Sequence, residues 1–223
     1  MDAKSNVLSR LRSALQVSGD DSARKAAVAA RLKSAPNGVI PARAQLPAKG
    51  QIELFVAMAD KFSATVARVK SGKDVPEAVS DYLRSKNLSP RAAIGKDIRL
   101  AGMPWAKQKN LELKTGPSDG SDETGISHAF AAIAETGTLV MTSGADNPTT
   151  LNFLPENHIV VLDAASIRGD LETIMAEIRK AYGKGVMPRT VNFITGPSRS
   201  GDIEQKILLG AHGPRALHIV VVG

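Results

Sequence analysis

HIVVLDAASIRGDLETIMAEIRKAY, residues 158–182, decides the fold. Its opening, His158–Leu162, is a short apolar run of the length and composition of a buried strand. From Asp170 to Tyr182 the period changes. Leu171, Ile174, Met175, Ile178 and Tyr182 then share one face of a helix. Arg179 and Lys180 lie at its end, where cations complement the helix dipole, and Gly183 supplies the stop. A buried strand feeding an amphipathic helix is the unit of an α/β sheet.

The same alternation continues on both sides. Downstream, Thr190–Thr195 reads as a strand, and Ala216–Val222 is almost wholly apolar, as expected of a strand covered on both faces. Upstream, Phe55, Met58, Ala59 and Phe62 set a helix over 51–62, and 64–69 reads as a strand. Asp74 and Glu77 look like a capping box, opening a helix with Val75, Ala78, Val79, Tyr82 and Leu83 on one face. Residues 91–95 and 111–113 are short strand candidates. Phe130–Ala134 and Thr138–Thr142 flank a tight bend at Glu135-Thr136-Gly137. The expected architecture is α/β, a mostly parallel sheet covered by helices.

Composition bounds the function. The 223 residues are 43% hydrophobic and 23% charged, which suits a globular chain rather than a disordered one. They contain no cysteine, which excludes disulfides, cluster ligation by thiolate and a thiol nucleophile in this sequence. No apolar run reaches the ~18–20 residues that cross a bilayer. Met1, Asp2, Ala3 and Lys4 lack the layout of a signal peptide, so the expectation is a cytoplasmic protein with no membrane span.

Charge is concentrated at the start. Residues 1–50 hold nine Lys/Arg against three acids, +6 of the formal +7. Leu8, Leu11 and Leu15 share one face of a helix over 5–16, with Ser5 as its expected N-cap, and 22–33 reads as a second, basic helix. Residues 34–50, with Pro36, Gly38, Pro41, Pro47 and Gly50, read as a linker. Residues 1–50 are thus expected to form a basic helical arm and 51–223 the α/β domain. Such an arm suits solvent or an acidic partner. Nucleic acid is disfavoured, because no aromatic stacking platform precedes Phe55.

Three bend-rich stretches are candidates for a site, on the rule that open α/β sheets bind ligands beyond the carboxyl ends of their strands. The first runs from Glu135, Thr136, Gly137 and Thr138 through Ser143 and Gly144 to Pro148. It offers a carboxylate as nucleophile or base beside hydroxyls and accessible backbone. The second is Thr195, Gly196, Pro197, Ser198, Arg199, Ser200, Gly201 and Asp202. Its hydroxyls, backbone N–H groups and guanidinium suit a phosphate or carboxylate. The third is 210–215, where His212 stands among small, bend-prone residues as a candidate acid/base. His218, inside the last strand, reads as a packed histidine with one satisfied nitrogen. His128 and His158 have no metal-ligand spacing, so no metal and no cofactor is expected. Walker, dinucleotide and nucleophile-elbow motifs are missing.

Four blocks together carry a resemblance: AIAETGTLVMTSG (132–144), LPENHIVVL (154–162), ITGPSRSGDIE (194–204) and LGAHGPRALHIVVV (209–222). They resemble the LUD-domain family, on its C-type lactate-utilization branch, and NVLSRLRSAL (6–15) is similar to its leading helix. The resemblance implies a NagB/RpiA/CoA-transferase-like fold. It further implies a part in bacterial oxidation of L-lactate to pyruvate beside iron–sulfur partner proteins, which would hold the redox centres. On that reading the chain is a non-redox subunit that binds a small carboxylate or other anion through Thr195, Ser198 and Arg199. The alternative drawn from the wider fold is a CoA- or acyl-transferring enzyme with Glu135 as nucleophile and His212 as acid/base. The residues around Glu135 do not reproduce the signature of CoA transferases.

Overall fold

In the computed structural model, which describes the backbone of residues 2–203 and 206–223 and the side chains of 2–201 and 208–223, the two longest apolar runs are neighbours. They are β7 (Asn157–Asp163) and β12 (Ala216–Val222), paired in parallel. Around them β1 (Thr65–Val69), β2 (Arg91–Ile94), β3 (Glu112–Thr115) and β4 (Thr124–His128) complete a six-stranded sheet in the order β1-β12-β7-β4-β2-β3. Every pairing in it is parallel. The expected mostly parallel α/β sheet covered by helices is therefore present.

A second sheet goes beyond the sequence expectation. β5 (Ala131–Ile133), β6 (Thr138–Thr142), β8 (Ile167–Arg168) and β9 (Val191–Ile194) form it in the order β8-β5-β6-β9. The bend at Glu135–Gly137 joins β5 and β6 as an antiparallel pair, as the sequence predicts. A further hairpin, β10 (Arg199–Ile203) with β11 (Lys206–Leu209), replaces what reads from sequence as a plain loop after Arg199.

Side-chain alternation builds the layers. Ile159 and Val161 of β7 face one core with Val75, Val79, Tyr82 and Leu83 of α4 (Val75–Ser85). Val160 and Leu162 face the other core, with Phe55 and Ala59 of α3 (Ala48–Lys61) and Leu139 and Met141 of β6. Val140 of β6 points the opposite way, onto Ile174 and Ile178 of α7 (Leu171–Tyr182). The order of layers is α4, the parallel sheet, the small sheet with α3, and α7. Each enclosed aliphatic side chain contributes ~1.5–3 kcal/mol on burial.

The chain divides into two units, one ending at Val39 and one running from Ile40 to Gly223. The first contains α1 (Ala3–Ala14) and α2 (Ser22–Ser34), with Leu8, Leu11, Leu15, Val28 and Leu32 along a groove between them. Two caps differ from expectation. Asp2, not Ser5, caps α1, its carboxylate accepting from the Ser5 N–H at 2.7 Å. Asp74 makes no side-chain bond to α4, because its carboxylate turns back to accept from the N–H and hydroxyl of Ser71, both at 3.0 Å.

Candidate functional site

Gly196 sets the site's first loop. It leaves β9 with φ +71°, and a Cβ there would stand 2.2 Å from the carbonyl oxygen of Phe62 at the end of α3. Only glycine lets the chain turn so close to that helix end. Arg199 anchors on the same feature, donating through Nη2 to the Phe62 carbonyl oxygen and to the Ser63 hydroxyl. Ser198 then ties this loop to the next. Its N–H donates to the Pro214 carbonyl at 2.8 Å, its carbonyl accepts from Gly210, and its hydroxyl accepts from the His212 N–H at 3.4 Å.

Between these loops lies a cleft of about 270 Å³. Thr195, Ser198, Arg199, His212 and Pro214 border it, with Phe153 and Phe193 as part-exposed aromatic walls. Its lining also includes Asn152 of α6 (Thr150–Phe153) and His158 of β7, both almost fully buried. His158 accepts or donates at Nε2 with the enclosed hydroxyl of Ser127, 2.6 Å away. Burial pushes the His158 ring down to a pKa of about 3, so it is neutral at ordinary pH. Among the described residues of the lining, Arg199 is the one formally charged side chain. That balance, with hydroxyls at Thr195 and Ser198, suits a small anion that keeps an apolar part against the phenyl rings.

The position of the cleft revises the carboxyl-edge expectation. His158 and Leu217 are the second residues of β7 and β12, so the cleft lies at the amino edge of the parallel sheet. The 210–215 loop leads into β12, and the 196–199 loop leaves a strand of the other sheet.

The remaining candidates are distributed along β6. Glu135 does not border the cleft. It is 7% exposed, and its carboxylate lies 3.8 Å from Arg43 Nε. Gly137, at φ +65°, packs directly on α3, where a Cβ would meet the Ala59 nitrogen at 2.6 Å. The hydroxyls of Thr136, Thr138 and Thr195 form a chain with 2.7 Å at each step, which links the bend to the cleft. Ser143 and Gly144 sit at the opposite end of β6, where the Ser143 hydroxyl accepts from the Thr190 N–H at 2.9 Å. Gly201 follows in β10, and the side chain of Asp202 lies outside the described residues. His218 has the expected single partner: Nδ1 meets the Thr65 hydroxyl at 2.8 Å while the ring stacks on Tyr82.

Sequence reasoning missed Ser127, Asn152, Phe153 and Phe193, and took His158 as a buried strand residue without metal-ligand spacing. The available signal was the period-two alternation that sets His158 on the same face as Val160 and Leu162. Among the described residues no cluster of potential metal ligands occurs, and no helix is long and apolar enough to cross a membrane.

Known proteins bear on this geometry in three ways. Lactate utilization protein C of Bacillus subtilis (strain 168) is 36% identical over 167 residues, covering 73% of this chain and 68% of that protein. The protein of the same name from Geobacillus thermodenitrificans is 38% identical over 116 residues, with 50% and 48% covered. In the latter comparison the chain thus spans about half the length of its relative. A DUF162 family protein from Deinococcus radiodurans, known from a crystal structure, shares the fold with a TM-score of 0.57 at 22% identity, covering 80% of this chain and 99% of that one. The LUD domain model matches residues 52–222. With most of its length inside that match, the chain belongs to the LUD domain family.

Proposed function

We propose that this chain is a non-redox subunit of a bacterial L-lactate utilization system, binding a small carboxylate in the 195–199/212 cleft and docking on iron–sulfur partner proteins. The names of its relatives support the pathway. One observation carries the site. Three of the four sequence blocks that mark the family border a single cleft: 154–162 through His158, 194–204 through Thr195–Arg199, and 209–222 through His212 and Leu217. The fourth block reaches it through the Thr138–Thr195 hydroxyl contact. The Arg199 guanidinium in the lining, with the hydroxyls of Thr195 and Ser198, favours an anion, since a guanidinium binds carboxylates through paired N–H groups. The sequence has no cysteine thiolate to hold a cluster, so electrons would pass through a partner.

The test is genetic and biochemical together. A strain lacking this chain and any paralogue is expected to lose growth on L-lactate while retaining growth on pyruvate. The wild-type chain restores growth and co-purifies cysteine-rich iron–sulfur proteins. Undiminished growth on L-lactate would remove the pathway assignment.

A further inference from the structure

The helices α1 and α2 carry charge of one sign only. Lys4, Arg10 and Arg12 lie on α1, Arg24, Lys25, Arg31 and Lys33 lie on α2, and neither helix contains an acid. The three acids of this unit, Asp2, Asp20 and Asp21, stand outside both helices. Asp2 caps α1, as described above, and the Asp21 carboxylate caps α2 by accepting from the Arg24 N–H at 3.0 Å. Asp20 meets Lys25 at 3.4 Å, both well exposed. A helix pair that serves only to face water carries both signs, which support each other at i, i+4.

The apolar residues are equally one-sided. Leu8 and Leu11 of α1, Leu15 at its C-cap, and Val28 and Leu32 of α2 line a groove of about 470 Å³. Yet no residue of either helix is buried, and Leu15 and Leu32 are 65% and 72% exposed. Helices of 12 and 13 residues draw most of their stability from packing an apolar face. Cations stand on that face. Arg24, Val28 and Leu32 form an i, i+4, i+8 row, Leu8 and Arg12 an i, i+4 pair, and both arginines line the groove.

We propose that this groove takes an acidic amphipathic helix of a partner protein. Its apolar residues at i, i+3, i+4 and i+7 sit between α1 and α2, and Asp or Glu beside them meets Arg12 and Arg24. The third helix turns an open pair into a small bundle and supplies the missing negative charge. A second copy of this chain is disfavoured, because it would set one cationic helix pair against another. A bilayer is disfavoured too. The apolar residues line a concavity rather than a flat face, and no aromatic residue precedes Phe55 to anchor at the interface. The inference concerns the arm alone and is independent of the anion cleft.

The experiment is fluorescence-anisotropy titration of labelled peptides of about five helical turns with the full chain. One peptide has a Leu seam flanked by Glu, one the same seam flanked by Lys, and one the Glu composition in scrambled order. The Glu-flanked peptide is expected to bind at least about tenfold more tightly than either control. In the double variant Arg12→Glu with Arg24→Glu the preference is expected to pass to the Lys-flanked peptide, a gain that misfolding does not produce. Leu32→Asp, at an exposed position, is expected to weaken binding at least about tenfold. Failure of the Glu-flanked peptide to bind, or equal affinity for all three, overturns the proposal. Co-sedimentation with phosphatidylglycerol vesicles that this peptide does not compete away overturns it in favour of a membrane surface. A dimer of the full chain that Leu32→Asp dissolves overturns it in favour of self-association.

Discussion

The hydroxyls of Thr138 and Thr195, 57 residues apart in sequence, meet at 2.7 Å where β6 begins and β9 ends. This contact joins the bend that carries Glu135 to the loop that carries Arg199. Thr138 is 5% exposed, so its hydroxyl depends on protein partners. Thr138→Val keeps the shape and removes the bond. The expected loss is about 1–2 kcal/mol of folding stability, since Thr136 and Thr195 both lose a neighbour. Urea unfolding of the variant beside wild type measures it, and an unchanged midpoint would show that the hydroxyl chain contributes nothing.

Glycine at 196 is a second point of dependence. At φ +71° and with the Phe62 oxygen 2.2 Å from a built Cβ, Gly196→Ala meets both backbone strain and a clash with main chain. A loss of more than about 2 kcal/mol is expected. Gly144→Ala is the control, because nothing lies within 4 Å of its Cβ, and it should remain within about 0.5 kcal/mol of wild type. Equal thermal midpoints for the two variants would contradict this account.

Buried histidines make the fold sensitive to acid. Burial pushes His158 down to about 3, and burial with the charge of Lys86 pushes His218 down to about 4. Both lie below the unfolded value of about 6.5, so the unfolded chain binds protons that the folded chain refuses. Stability is therefore full above pH 6.5 and falls as pH drops from there toward 4. Each of the two groups contributes a slope of about 1.4 kcal/mol per pH unit within that window. Unfolding free energies between pH 7 and 4.5 check the slope, and His218→Gln should remove one group's share of it.

Glu135 faces an ion pair rather than the cleft. Its carboxylate is enclosed while the Arg43 side chain is 62% exposed, which keeps the pair's contribution small. Glu135→Gln is expected to change stability by less than about 1 kcal/mol. Incubation of the wild-type chain with acyl-CoA donors is expected to leave Glu135 without an acyl adduct by mass spectrometry. An adduct there would revive the acyl-transfer alternative.

Much of the architecture was legible from local pattern. α7 follows from the spacing of Leu171, Ile174, Met175 and Ile178, and β12 from its unbroken apolar run. β4 was not legible. Its sequence, TGISH, has one large apolar residue, yet all five of its residues are buried. Gly125 is there because a Cβ would meet the Leu151 oxygen at 2.6 Å, and Ser127 because His158 bonds it across the sheet. Both reasons belong to neighbours distant in the chain, which hydrophobic periodicity does not sense.

By itself, the sequence determined the alternation of strands and helices, the bends at 135–137, 195–199 and 210–215, and the family, because these depend on residue spacing and short-range backbone preferences. Tertiary structure alone decided which bends meet. Strand register brings His158 beside Ser127, α3 covers the approach to Gly137, and Ser198 joins the loops of Arg199 and His212 at the amino edge of the sheet. Those outcomes depend on hydrogen bonds and close packing between segments remote in sequence, and local residue pattern carries no record of them.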